Sequence, residues 1–339
     1  MLTLPLSSTL FPEKIGDVPA HASWLERLGY RGLWVGEGRL RRDAVTAMTL
    51  AAHATSTAYI ASGIVPFRTR NVTLLAITWK TLYQLAPGRV RLGLGTWWEP
   101  IASRAGLPTA HPLTAMREVF AVLREMFAGR HASLAGDYVQ VHDVAFDGAE
   151  DEGGAAYPVR LYMAAVGPRM LRLAGELADG VLLDFFTPPA YTRRAVRQLH
   201  TGLRHRTLTE DPDRPQLVAC CIDDEDPMAA AYEARVTLTR YIAQQSHVAR
   251  YCGADPELVA AVRRRITWPT NTTELREAAK LVPLSLVRSV AAVGSTSSVV
   301  DRLSEYVDAG STEIVVAPFG AGRDRTVELI AARTRTRRG

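Results

Sequence analysis

A single α/β chain folded as a (β/α)8 TIM barrel with insertions is the architecture that three observations predict. Short apolar, β-branched runs alternate with longer amphipathic stretches along the chain. Eight such runs occur, and they read as near-continuous apolar segments, the form taken by parallel strands covered on both faces. The length of 339 residues suits eight β-α units with insertions. The rival architecture, an open doubly wound sheet, lacks its glycine fingerprint after the first strand. Gly93-Leu94-Gly95 follows the fourth strand instead and has no third glycine.

The elements are predicted in order as follows. Residues 2–6 form the first strand and 20–28 the first helix. Residues 32–35 (GLWV) are a strand and 43–55 a helix; 59–65 (YIASGIV) are a strand and 71–85 a helix. Residues 90–94 (VRLGL) are a strand and 113–127 a helix. The rhythm then breaks. Residues 130–147 alternate like a hairpin with Gly136-Asp137 near its turn, and 148–156 are a polar, glycine-rich loop. This insertion, 130–156, is read as a lid or a dimer element. The rhythm resumes with strands at 159–164 and 180–183, a helix from Met170, a helix over 191–204 and a strand at 217–222. A mainly helical insertion, 223–285, contains helices over 228–251 and 255–265; residues 266–294 show no clear period. A helix over 297–309 and a closing strand at 313–316 complete the chain.

Composition narrows the function classes. Apolar residues make up 47%, charged residues 22%, and mean hydropathy is −0.02, which excludes wholesale disorder. No apolar run approaches the roughly 18–20 residues of a membrane span. Residues 1–5 carry no basic leader, so the chain is expected to be cytoplasmic. Cys220, Cys221 and Cys252 have no C-x-x-C spacing and read as buried structural thiols. The net charge is +5, with 37 arginines against three lysines, but the arginines are dispersed. The one dense run is the tail, residues 333–338, read as a solvated end, so no nucleic-acid footprint is expected. The eight histidines, including His247, have no metal spacing; nucleophile-elbow and Walker patterns are absent too, which removes hydrolase and NTPase readings.

In a barrel the chemistry sits at the C-terminal ends of the strands. Strand one is followed by Ser7 and Ser8. Strand two is followed by Gly36-Glu37-Gly38-Arg39, where Glu37 is either a general acid or a surface carboxylate paired with Arg39, Arg41 or Arg42. Strand three ends in Ser62-Gly63-Ile64-Val65-Pro66, where glycine permits close ligand approach. Strand four runs into Thr96-Trp97-Trp98-Glu99-Pro100. The two tryptophans are read as walls for a planar ligand, and Glu99 as a carboxyl beside them. Strand five leads through Ala164-Ala165-Val166-Gly167-Pro168-Arg169 into a helix, whose free N–H groups make an anion seat. Strand six is followed by Asp184-Phe185-Phe186.

Together these loops resemble the luciferase-like monooxygenase superfamily of flavin and deazaflavin oxidoreductases. The resemblance is carried by four blocks: Gly32-Leu33-Trp34-Val35-Gly36-Glu37; Ser62 through Ala76 with Leu85 through Gly95; Tyr162 through Leu183; and Val293-Gly294 with Asp308-Ala309-Gly310. The third block is most similar to the methylenetetrahydromethanopterin reductase branch, whose coenzyme is the deazaflavin F-420. The resemblance implies a non-proline cis bond at Gly63-Ile64 behind the ring of the coenzyme. It implies that Ser62, Gly63, Ile64, Thr96 and Ala164 through Arg169 bind that coenzyme. Ser7, Trp97, Trp98 and Phe185 would shape the substrate pocket. Several relatives carry a histidine after the strand-two acid, where this chain has Gly38, so the proton donor falls to Glu37 or Glu99. The expected activity is hydride transfer to an electron-poor C=C or C=N bond of a small molecule or peptide, by a homodimer. An FMN-dependent monooxygenase and a non-catalytic ligand-binding barrel are the alternatives.

Overall fold

The computed structural model describes residues 5–38, 40–147, 156–267 and 270–335. Its strands are β1 (Leu6–Thr9), β2 (Gly32–Val35), β3 (Tyr59–Ser62), β4 (Val65–Pro66), β5 (Val90–Gly95), β6 (Ala132–Ala135), β7 (Gln140–Val144), β8 (Arg160–Ala164), β9 (Gly180–Leu182), β10 (Pro215–Ile222), β11 (Ala292–Gly294) and β12 (Glu313–Pro318). The main sheet runs in the order β11-β10-β12-β1-β2-β3-β5-β8-β9, with β4 resuming beside β5 after the end of β3. Its pairings are parallel. Two parallel bridges, Gly180 with Asp213 and Leu183 with Gln216, bring the far edge at β9 back to β10. The sheet therefore curls into the predicted barrel, and β11 adds a short strand on the upper part of β10.

The helices between strands start where capping chemistry allows. Asp43 accepts from Thr46 N at 2.7 Å and Asn71 from Thr73 N at 2.8 Å, opening Ala44–Ala54 and Val72–Leu85. Proline occupies the first turn of Pro112–Phe127, Pro168–Leu177 and Pro189–Leu203. Each helix turns an apolar stripe to the sheet, as Leu75, Trp79 and Leu82 do on Val72–Leu85. The outer core lies in this layer between helices and strands. A second cluster fills the barrel interior: Trp34, Tyr59, Ala61, Tyr162, Leu182, Leu217 and Val315.

Three predicted elements are corrected. The first strand is Leu6–Thr9, not residues 2–6, and residues 1–4 lie outside the described set. Ser7 and Ser8 are thus inside the strand. Their hydroxyls find partners there, so two polar residues do not interrupt it. The long helical stretch divides into Pro227–Gln244 and Ser246–Tyr251 at Gln245, whose extended backbone breaks the spiral. The segment without clear period contains Thr272–Ala279, Leu284–Val290 and β11. A further helix, Arg323–Arg335, follows β12; residues 333–335 of the basic tail belong to it and 336–338 lie outside the described residues.

The hairpin β6–β7 forms where alternation placed it, and residues 148–155 of the following loop are outside the described set. The three cysteines are buried and unpaired. Among the described residues no helix is long and apolar enough to cross a membrane, and no group of three metal-ligating side chains forms.

Candidate active site

The barrel interior changes character from bottom to top. Near the N-terminal ends of the strands it is filled by large polar side chains. Ser7 Oγ and Tyr59 OH lie 2.8 Å apart, and both donate to Glu313 Oε1. Trp34 Nε1 donates to Tyr59 OH at 3.0 Å. The Arg91 guanidinium lies 3.3 Å from the Tyr59 ring centroid and 3.9 Å from Glu313 Oε2. Burial, and then the Glu313 carboxylate, push the Tyr59 hydroxyl well above its ordinary value, so it stays a donor. Ser7 belongs to this network, which corrects its expected place in the substrate pocket: its strand begins four residues later than predicted, so its side chain points into the lower barrel.

At the C-terminal ends the inward positions become glycine and alanine. A Cβ on Gly95 would meet Ile64 Cδ1 at 2.8 Å and Ala164 Cβ at 3.4 Å, so these three residues form one surface. A Cβ on Gly93, one layer below, would stand 2.1 Å from Ser62 O. Ser62 is fully buried, and its hydroxyl accepts from Gly93 N at 2.8 Å and donates to Gly93 O at 2.9 Å. Its side chain thereby locks β3 to β5 and does not face the mouth. The Gly63–Ile64 peptide is cis. Its bulge is held from both sides, by Gly63 N donating to Val35 O at 2.8 Å and Glu37 N donating to Ile64 O at 3.1 Å.

Glu37 reaches Arg70 rather than the nearer arginines. Arg70 Nη1 stands 2.8 Å from Glu37 Oε2, off the direction of a hydrogen bond, and Arg70 Nη2 pairs with Asp43 at 2.7 Å. Arg42 instead donates to the carbonyls of Pro12 and Glu13, and Arg39 lies outside the described residues. Glu99 is exposed and turned to its own chain: its Oε2 accepts from Ser103 Oγ at 2.8 Å, closing the first turn of Ile101–Arg104. The structure therefore does not bring Glu37 and Glu99 together as two acids. Glu99 also lacks the apolar surroundings that the adjacent tryptophans suggested. Trp97 and Trp98 are half-buried. Trp97 has a positive φ of 64°, and its Nε1 is buried without a hydrogen-bond partner. Thr96 Oγ1 donates to Trp97 O at 3.2 Å.

The fifth loop carries Ala164, Ala165, Val166 and Gly167 into the helix Pro168–Leu177. No side chain caps this helix, Pro168 has no N–H, and a Cβ on Gly167 would meet nothing within 4 Å. Its first turn is left open, as an anion seat requires. Tyr191 OH donates to Val166 O at 2.6 Å and fixes the loop from behind. Arg169 is exposed and lines an outer cleft of about 330 Å³ with Arg117, Arg172 and Glu176.

Two functional candidates escaped the sequence. Asp184 stands at the top of β9, after Leu182, which faces the interior, and Leu183, which faces the outer core. His247, on Ser246–Tyr251 of the helical insertion, places Nε2 3.0 Å from Asp184 Oδ2. The neighbouring Phe185 packs against both the interior cluster and the helical insertion, with its ring 4.7 Å from that of Tyr241. A carboxylate at a strand end was a usable signal for Asp184. Nothing local marked His247, because its partner is 63 residues away in the chain.

Comparison with known proteins agrees with this geometry. A family model described as luciferase-like monooxygenase matches residues 4–313. The chain is 27% identical over 314 residues to 5,10-methylenetetrahydromethanopterin reductase of Methanolobus tindarius, covering 91% of this chain and 93% of that protein. The fold superposes on coenzyme F-420-dependent tetrahydromethanopterin reductase of Methanopyrus kandleri with a TM-score of 0.84, at 23% identity and over 99% of each chain. It also matches an F-420-dependent secondary alcohol dehydrogenase in complex with an F-420–acetone adduct, with a TM-score of 0.75, at 18% identity and over 98% of each chain. With the family model spanning most of its length, and with the cis bulge and open mouth in place, the chain belongs to the luciferase-like monooxygenase family.

Proposed function

We propose that this chain is an oxidoreductase that uses reduced coenzyme F-420 to deliver hydride to an electron-poor C=C or C=N bond. The observation that carries the reading is the surface formed by Gly95, Ile64 and Ala164 beside the cis Gly63–Ile64 bulge. A planar ring needs a face free of projecting side chains, and these residues fit that need. The names of the relatives, reductases of a methylene pterin, support the reaction type, and the F-420-dependent enzymes that share the fold support the coenzyme.

When bound, the reduced deazaflavin supplies a hydride, two electrons with one proton. The chain supplies position and polarity. Gly63 and Ile64 would back the ring, and Thr96 would meet its edge. Ala164 to Gly167, with the open first turn behind Pro168, would hold the ring edge and the phosphate. Arg169, exposed beside that turn, would draw the anionic portion toward it. Trp97, Trp98 and Phe185 would bound the substrate space and exclude water. Glu37 holds the bulge through its backbone N–H and anchors Arg70 through its carboxylate. The homodimer implied by the resemblance is a proposal of the same kind. Leu74 and Ile77, 51% and 53% exposed and three residues apart on Val72–Leu85, support a contact face there, and sedimentation reads the state directly.

Titration of the purified chain with F-420 and, in parallel, with FMN tests the coenzyme by fluorescence. Tight F-420 binding with weak FMN binding is expected. The reverse order would replace the reductase reading with oxygen chemistry on FMN. Binding of neither would leave a barrel serving another ligand.

A further inference from the structure

The mouth has a catalytic problem that the proposed reaction makes specific. Hydride addition to one atom of a C=C or C=N bond leaves an electron pair on the other atom, and a proton must meet it. The loop after β2 offers Gly38, with no side chain. Glu37 is committed to Arg70, and Glu99 is exposed and occupied with Ser103.

We propose that His247, oriented by Asp184, is the proton donor of this site. The proposal rests on the reductase reading above and adds to it the residue that completes the reaction. Asp184 is rigidly held. Gln216 Nε2 donates to its carbonyl oxygen at 2.7 Å, Thr187 Oγ1 donates to the same oxygen at 2.9 Å, and Phe185 N donates to Oδ1 at 2.9 Å. Oδ2 is left for His247 Nε2. A carboxylate there fixes Nε2 as the N–H side and leaves Nδ1 as the exchanging nitrogen. Nδ1 has no partner among the described residues, and 29% of the His247 side chain is exposed, so the exchanging atom is accessible. Asp184 stands just past the C-terminal end of β9, the face on which a barrel carries its chemistry, and the adjacent Phe185 packs with Ile64 of the bulge on the interior cluster. That position puts the dyad at the same end of the barrel as the mouth.

The step balances as follows. Hydride from the reduced deazaflavin forms the new C–H bond and leaves that coenzyme oxidised by two electrons. The Nδ1–H bond of the imidazolium breaks, and its proton joins the α carbon or nitrogen that holds the electron pair. Neutral imidazole, still donating Nε2–H to Asp184, regains its proton from water. Imidazole suits the task because its ordinary pKa lies near neutrality. Tyr191 stands close enough to Asp184 to feel its charge, along with that of Tyr251 and Arg194, and Tyr241 packs on the adjacent Phe185. Burial, and then Asp184, hold the Tyr191 hydroxyl far above its ordinary value, so it does not compete.

The test uses the full chain and the variants His247→Gln and Asp184→Asn. Nitrogen-15 NMR of labelled histidines is read first without coenzyme. Asp184→Asn is expected to change the tautomer of the His247 ring, read from the separate Nδ1 and Nε2 shifts, because the carboxylate that fixes Nε2–H is gone. Addition of oxidised F-420 to the parent chain is expected to move the His247 resonances. Turnover of reduced F-420 with cyclohexenone and with 1-pyrroline is read second. His247→Gln is expected to bind F-420 within about twofold of the parent, to slow turnover by roughly 10²-fold or more, and to lose the alkaline limb of the pH profile. A His247 tautomer unmoved by Asp184→Asn, or resonances unmoved by bound F-420, overturns the proposal. So does unchanged turnover in His247→Gln, or a parallel loss of coenzyme binding, which marks a structural role. A parent chain that fails to bind F-420 sinks the coenzyme reading instead, and the coenzyme-free tautomer measurement still decides whether the dyad exists.

Discussion

The lower and upper halves of the barrel interior are built from the same strands and obey opposite rules. Below, Tyr59, Glu313, Ser7 and Trp34 fill the space and satisfy one another through hydrogen bonds, and the Arg91 guanidinium lies against the Tyr59 ring with its Nη1 buried short of a hydrogen bond. Above, Gly95, Ala164 and Gly63 withhold side chains. A filled interior stabilises the fold, whereas an interior with missing volume suits a ligand. The contrast shows that one barrel divides stability and function along its axis, as the general rule for this architecture holds.

Substitutions at the boundary between the halves sharpen the contrast most. Gly93→Ala would drive a Cβ into the backbone oxygen of Ser62, which cannot yield without breaking the β3–β5 junction. A loss of about 3 kcal/mol or more is expected, visible as failure to recover soluble, cooperatively melting protein. Glu313→Ala comes next. It leaves the Arg91 charge and two hydroxyls in the lower interior without their acceptor, at a cost of about 3 kcal/mol. Calorimetry should show a fall of roughly 4 °C in Tm, with F-420 affinity of the folded fraction little changed.

Gly95→Ala, two residues above Gly93, should do the reverse. Its new methyl presses on the far end of the Ile64 side chain, which can move, so stability should hold within about 1 kcal/mol. The same methyl stands on the ring surface, and F-420 affinity should drop about tenfold by fluorescence titration, or about 1.4 kcal/mol. Equal melting losses for the two glycine variants would erase the division between halves.

The smallest effect concerns the rim. Glu118 accepts from the backbone N–H groups of Asp137, Tyr138 and Val139 at 2.9, 2.8 and 2.7 Å. Burial pushes its carboxyl up, but these donors outweigh that and hold it below the ordinary value of 4.5. A lowered carboxyl contributes stability that is full above the unfolded value and is lost as pH falls through the folded one. Amide exchange at residues 137–139 should accelerate, relative to that of β1 and β12, as pH is taken below about 4.5, corrected for intrinsic rates. The site is solvated, so the gain is well under 1 kcal/mol, and equal protection across that range would count against this anchoring.

Much of the site was legible because its signals are local. Glycine at 63 and 95, the small-residue loop before Pro168 and the paired tryptophans each report what one strand end can hold, and the structure leaves Gly95 against Ile64 and Ala164 and the helix start at Pro168 without a side-chain cap. The misreadings were of partners and depth. Ser7 and Ser62 are polar residues near strand ends, yet each hydroxyl is consumed inside the sheet by a residue from another strand. Glu37 pairs with Arg70, 33 residues on, while nearby Arg42 turns to the carbonyls of Pro12 and Glu13.

By itself the sequence determined the eight-strand rhythm and the hairpin, which rest on periodicity. The cis Gly63–Ile64 bond was implied by the resemblance to a family, and the structure has it. Tertiary structure alone decided that Glu313 closes on Ser7 across 306 residues and that His247 meets Asp184 across 63. Those contacts exist only when the sheet has curled shut and the helical insertion has folded over its end. Charge, hydrogen bonding and proton transfer act through space at a few ångströms, and no pattern along the chain encodes a distance that the closure of the barrel creates.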